Sequence, residues 1–106
     1  MQVDFFLNTK DGMIRCSNHD IYYIQAHGKH SRVVTNRGDF FVSTAIGKLE
    51  TECLPDDVFC RVDRSFIVSL HNVPSFTLDG IVINGDRIPI AKAYRVKLFS
   101  SLKIIW

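Results

Sequence analysis

In the stretch Phe59-Cys60-Arg61-Val62-Asp63-Arg64-Ser65-Phe66-Ile67-Val68-Ser69, two arginines interrupt an apolar run that would otherwise be buried outright. A guanidinium in so small a core needs a partner, and Asp63 can satisfy only part of what Arg61 and Arg64 offer. Their other donors suit an anion outside the core. A second cluster, His27-Gly28-Lys29-His30-Ser31-Arg32, sets a run of donors as a loop between two strand-like segments, with a glycine that lets the backbone approach another surface closely. A third, Ala91-Lys92-Ala93-Tyr94-Arg95, stands where a hairpin gives way to a helix. N–H groups at a helix start attract phosphate, and Lys92 and Arg95 reinforce the effect. Each cluster alone reads as solvated surface charge; together they suit phosphates and base edges.

Enzymatic chemistry finds little support. Cys60 with His71, or Cys16 with His19, would supply a nucleophile and a base, but no nucleophile elbow, phosphate-binding glycine loop or paired-carboxylate setting accompanies them. His27 and His30 have a spacing that a metal could use, yet Lys29 adjoins both and no carboxylate or thiol lies close in sequence. The chain is read as a non-enzyme, with no catalytic, cofactor or metal site.

At 106 residues the chain has the length of one domain, 1-106, and its 46% hydrophobic and 11% aromatic content excludes disorder for most of it. Its apolar runs are too short to span a bilayer, and the segment from Met1 to Thr9 has neither the basic start nor the cleavage site of a signal peptide. A cytoplasmic domain without membrane contact is expected. Cys16, Cys53 and Cys60 form no CxxC pair and are expected to be reduced and mostly buried. The net charge of +2 is too mild to diagnose a partner, but it is unevenly spread. Glu50, Glu52, Asp56, Asp57 and Asp63 crowd one segment, whereas Arg87, Lys92, Arg95, Lys97 and Lys103 meet no acid between Arg87 and Trp106.

The elements that must position these groups are mostly strands. Asp11-Gly12, Asn36-Arg37-Gly38-Asp39, Asp79-Gly80 and Asn84-Gly85 separate short runs rich in Val, Ile and Phe, which is the pattern of hairpins. The runs are Val3 to Asn8, Met13 to Cys16, Ile21 to Ala26, Ser31 to Thr35, Phe40 to Ser43, Phe59 to Val62, Val73 to Leu78, Ile81 to Ile83 and Arg87 to Ile90, the last three forming a meander. Ile46, Leu49 and Cys53 predict a short helix capped by Ser43 or Thr44 and ended by Pro55. Tyr94, Leu98, Leu102 and Ile105 form the apolar stripe of a second helix that runs to the C-terminus and packs on a sheet.

The order Asp20-Ile21-Tyr22-Tyr23-Ile24-Gln25-Ala26, the basic loop, Ile46-Gly47-Lys48-Leu49-Glu50, the Phe59 to Ser69 motif and Ile88-Pro89-Ile90-Ala91-Lys92-Ala93-Tyr94 resembles the LytTR-type DNA-binding domain of bacterial transcriptional regulators. The resemblance covers nearly the whole chain and is most specific in Phe-x-Arg-Val-x-Arg-Ser-Phe-Ile-Val. It implies an elongated, mostly β fold of about ten short antiparallel strands with one short internal helix and a C-terminal helix. It also implies that loops enter successive major grooves of double-stranded DNA and bend the duplex. By position, the DNA-binding residues are Lys29, His30, Ser31 and Arg32 after the third strand, Arg64 before Ser-Phe, and Lys92 before the last helix. Arg32, Arg61, Arg95 and Lys97 would hold phosphates while Arg64 and one residue of each outer loop read bases.

The chain departs from the family where Asp63 replaces a histidine, Ser69 an asparagine and Gln25 a glutamate. A carboxylate at Asp63 repels phosphate unless it orients Arg64 or accepts from a cytosine amine. The family context implies an output domain cut from a larger regulator with an upstream receiver or sensor, a natural stand-alone regulator being the other reading; with no coiled-coil stripe visible, the domain is expected to be monomeric in solution and to pair on tandem sites. The competing class is a small β interaction module that binds protein or a small ligand through the same loops. A redox or metal sensor built on the His27 to His30 loop and a cysteine ranks third.

Overall fold

Turn chemistry and strand alternation build the chain into three antiparallel sheets, described by a computed structural model of residues 1–106. β1 (Asp4–Thr9) and β2 (Gly12–Ser17) form one hairpin, and β8 (Gly80–Ile83) and β9 (Asp86–Pro89) form another. Between them lies a five-stranded sheet of β3 (Ile21–His27), β4 (His30–Thr35), β5 (Gly38–Val42), β6 (Phe59–Asp63) and β7 (Phe66–Ser69), in the order β5-β4-β3-β7-β6. At Asn84-Gly85 both residues take positive φ, 50° and 83°, as the Asn-Gly turn of a two-residue hairpin requires.

The central sheet is covered on both faces. Ile24, Val33, Val42 and Ile67 pack on one side with Cys16 of β2 and with Ile46 and Leu49. Tyr23, Val34, Cys60 and Val68 pack on the other with Ile81, Ile83, Ile88, Ile90 and Leu98. Two-sided burial explains why β3 reads as a nearly continuous apolar run. The molecule measures 44 × 27 × 26 Å, the elongated shape that the resemblance implies. No helix is long and apolar enough to cross a membrane.

The fold class is as expected, with nine strands, and four details differ. Val73 to Leu78 supplies only an isolated bridge, Phe76 to Ile81, because Pro74 removes a ladder donor; the three-run meander is therefore a two-stranded hairpin. Phe66–Ser69 is instead a full strand beside β3. The internal helix α1 (Ile46–Lys48) starts at Ala45 without a side-chain cap and passes into a wider π-turn over Leu49–Cys53, where the Leu54 N–H donates to the Leu49 carbonyl at 2.9 Å. That widening carries Cys53 off the apolar stripe and leaves it exposed, while Cys16 and Cys60 are buried. The last helix is a 3-10 turn (Lys92–Tyr94) leading into α2 (Arg95–Ser101). The helix ends at Ser101, Leu102 is extended, and Ile105 is exposed. Ser100 and Ser101 hydroxyls donate back to the Val96 and Lys97 carbonyls, a side-chain habit that weakens the end of a helix.

Candidate nucleic-acid interface

The backbone ladder brings the three basic clusters to one end of the central sheet. β3 ends at His27 and β4 begins opposite it at His30, so the expected loop is a tight turn of Gly28 and Lys29 alone. Gly28 has φ +62° and Lys29 does not share the positive sign, the pattern of a type II′ turn that glycine enters without strain. Next to it, β6 and β7 close through Arg64 and Ser65, and the Ala26 N–H donates to the Ser65 carbonyl at 2.8 Å. The Ala91 N–H donates to the Val62 carbonyl at 2.8 Å, which holds the Ala91-Lys92 segment against β6 beside the same turn. Strands lie ~4.8 Å apart, so the two hairpin tips are about 10 Å apart and the three clusters span roughly 17 Å.

Lys29, His30, Arg64, Lys92 and Lys97 are exposed, and none of their side chains is tied into an ion pair. The four other expected contacts, Ser31, Arg32, Arg61 and Arg95, have partners within the protein. Ser31 is fully buried and its hydroxyl donates to the Thr44 carbonyl at 2.7 Å; strand alternation turns it inward, opposite Val42. Arg32, next on β4, lies on the other face. Its Nε donates to Asp39 at 2.8 Å and a terminal nitrogen donates to Gln25 Oε1 at 2.9 Å, so hydrogen bonding to Asp39 holds the guanidinium more firmly protonated than usual. Arg95 donates to Asp79 at 2.8 Å, tying α2 to the loop before β8.

Arg61 is the fourth. Its side chain is only 11% exposed, and its guanidinium pairs with Glu50 at 2.7 Å while Nε donates to the Asp63 carbonyl at 2.8 Å. The other terminal nitrogen donates to the Arg64 carbonyl. Each of its three nitrogens therefore makes a bond back into the protein. Asp63, whose carboxylate seemed a liability, accepts the Ser65 N–H at 2.9 Å and closes the turn that presents Arg64. Sequence reasoning had a signal for this, since an aspartate two residues before the donor is the spacing of an Asx turn. It had none for Glu50, which reaches Arg61 only through the fold.

The side chains of the third-ranked reading are placed differently. His27 packs edge-on against Phe41, with ring centroids 5.2 Å apart. Burial pushes the Cys16 and Cys60 thiols up, away from the thiolate form that redox or metal chemistry uses.

The LytTr DNA-binding domain family model matches residues 11–103. The CO-responsive transcriptional regulator RcoM of Rhodospirillum rubrum is 36% identical over 91 residues, covering 79% of this chain and 38% of that protein. The sensory transduction protein LytT of Bacillus subtilis is 30% identical over 104 residues, covering 92% of this chain and 43% of that protein. This chain thus spans less than half the length of either relative. A solved LytTr DNA-binding domain from Bacillus cereus shares the fold, with a TM-score of 0.79 and 24% identity over 95% of this chain and 97% of that one. With the family motif carried by strands and turns in the family's own arrangement, this chain belongs to the LytTR family, the non-enzymatic DNA-binding domains of bacterial transcriptional and response regulators.

Proposed function

We propose that residues 1–106 act as a single sequence-specific reader of double-stranded DNA, the cytoplasmic output domain of a longer bacterial regulator. Arg64 reads base edges at the centre of the interface. Lys29 and His30 on one flank, and Lys92 with Lys97 on the other, hold phosphates and the outer bases. The observation that carries this is the gathering of three separate basic turns at one end of one sheet through the Ala26–Ser65 and Ala91–Val62 hydrogen bonds. Three cationic tips on a common end suit a polyanion better than the protein or small-ligand partner of the competing class. Their span of roughly 17 Å exceeds one major groove, ~12 Å wide. The reach of Lys29 and Lys92 and a bend in the duplex extend it toward the next groove, one helical repeat of ~34 Å away. An upstream receiver or sensor domain and pairing of two copies on tandem sites complete the proposal, in keeping with the greater length of the relatives.

The test is a duplex selected from a random library with the purified domain, compared with a scrambled duplex at one fixed salt concentration. An arginine fork on guanine O6 and N7 is worth about 1–3 kcal/mol of discrimination, so Arg64→Ala lowers the ratio of specific to non-specific affinity by that amount while circular dichroism stays unchanged. A ratio that does not move removes Arg64 from base reading. Affinity that barely responds to salt would refute phosphate contact altogether.

A further inference from the structure

We infer that Glu50, an acid on the π-turn after α1, is a positioning residue for DNA readout: through Arg61 it fixes the turn from which Arg64 reaches the duplex. This rests on the proposed role of Arg64. The Glu50 carboxylate holds one terminal nitrogen of Arg61 at 2.7 Å, and that leaves Arg61 Nε and its other terminal nitrogen aimed at the carbonyls of Asp63 and Arg64. A planar guanidinium fixes the directions of its donors, so anchoring one edge orients the other. The Asp63 carboxylate on the Ser65 N–H and the Ser65 carbonyl on the Ala26 N–H close the turn from the remaining sides. Every residue of the Asp63-Arg64-Ser65 turn is thus tied by at least one backbone group, while the Arg64 side chain is left without a partner in the protein. Glu50 itself is held from behind by Leu49, which is buried in the core and accepts the Leu54 N–H.

Removing Glu50 acts with an unusual sign. An acid near a DNA-binding surface ordinarily repels phosphate, so deleting it strengthens binding to all DNA. Here the deletion frees Arg61 to swing away from the turn, and Arg64 loses its preset orientation. Specific affinity falls while non-specific affinity holds or rises.

The experiment measures fluorescence anisotropy of the selected and scrambled duplexes with Glu50→Ala, Glu50→Gln, Arg61→Lys, Arg64→Ala and the Glu50→Ala/Arg64→Ala double variant, each checked for folding by circular dichroism. Glu50→Ala lowers the specific-to-non-specific ratio on the order of 5-fold, the low end of what a lost bidentate base contact costs. Glu50→Gln keeps an acceptor oxygen and falls between it and the native chain. Arg61→Lys preserves charge and so serves as the second probe where Glu50→Ala is poorly folded; an ammonium cannot span Glu50 and two carbonyls, and the ratio drops as with Glu50→Ala. The double variant is no less specific than Arg64→Ala alone. Native-like specificity in Glu50→Ala or Arg61→Lys, or an additive loss in the double variant, overturns the inference. If Arg64→Ala itself leaves the ratio unchanged, the failure lies in the proposed function instead.

Discussion

Ser31 tests whether a residue at the β3–β4 tip serves the fold or touches DNA. Its hydroxyl sits at 0% exposure and donates to the Thr44 carbonyl at 2.7 Å, joining β4 to the segment that follows β5. Ser31→Ala removes the donor and leaves that carbonyl without its partner; for a group as partly buried as Thr44 the cost is about 1–2 kcal/mol. At ~2.1 cal/mol/K per residue, the unfolding entropy of 106 residues is about 0.22 kcal/mol/K, so the melting temperature drops by roughly 5–9 °C. The turn itself is kept by the His27 to His30 pairing and by Gly28, neither of which needs the hydroxyl. Affinities for selected and scrambled duplexes, measured by anisotropy well below the melting temperature, are therefore unchanged. An unshifted melting curve together with lost DNA binding would refute the argument and restore Ser31 as a contact.

Lys97→Ala, at an exposed and unpaired site on α2, weakens binding to selected and scrambled duplexes alike and lowers the slope of log K against log salt by about 1; a change confined to the selected duplex counts against a phosphate role. Tyr23 donates to Asp86 at 2.7 Å, and burial first, with that hydrogen bond second, pushes its phenol up to about 12. A raised value stabilises the fold fully below the unfolded value of ~10, and the contribution is lost as pH climbs through about 12. Urea titrations across that window are steeper in pH for the native chain than for Tyr23→Phe, and parallel curves would remove Tyr23 as the cause.

What the sequence made legible is whatever local chemistry decides. Asn84-Gly85 demanded its hairpin, the Phe59 to Ser69 motif identified the family and the basic turns, and the apolar periodicity placed Leu98 against a sheet. Local signals misled where a longer-range contact settles the outcome. Arg32, Arg61 and Arg95 look like free cations until the fold brings Asp39, Glu50 and Asp79 to them. The donors of His27 to Arg32 read as one loop cluster, although Ser31 and Arg32 also open the expected strand Ser31 to Thr35. As a two-residue turn between strands the segment must alternate, and alternation by itself sends Ser31 inward and separates it from Arg32. The switch from α to π geometry at Leu49 left no signature in spacing, and Cys53 was assigned to the wrong face for that reason.

The same contacts answer how an aspartate can stand where the family places a histidine. Glu50 and Asp63 together carry as much negative charge as Arg61 and Arg64 carry positive, so by simple sum the central turn offers a phosphate backbone nothing. The arrangement changes that sum. Glu50 is drawn back onto Arg61, and Asp63 is occupied by the Ser65 N–H, while Arg64 stands exposed with no internal partner. With Glu50 and Arg61 neutralising each other, the field at the front is set by the exposed Arg64 over the half-buried Asp63, because field at short range follows distance and screening rather than the total. Lys29 and Lys92 add to it from both flanks without acids of their own in contact. A domain of net charge +2 can thus meet a polyanion at one end. Under the proposed role of Arg64, a cation framed by acids gains most where a guanine supplies both acceptors, which would bias this turn toward discrimination between sequences rather than affinity for DNA in general.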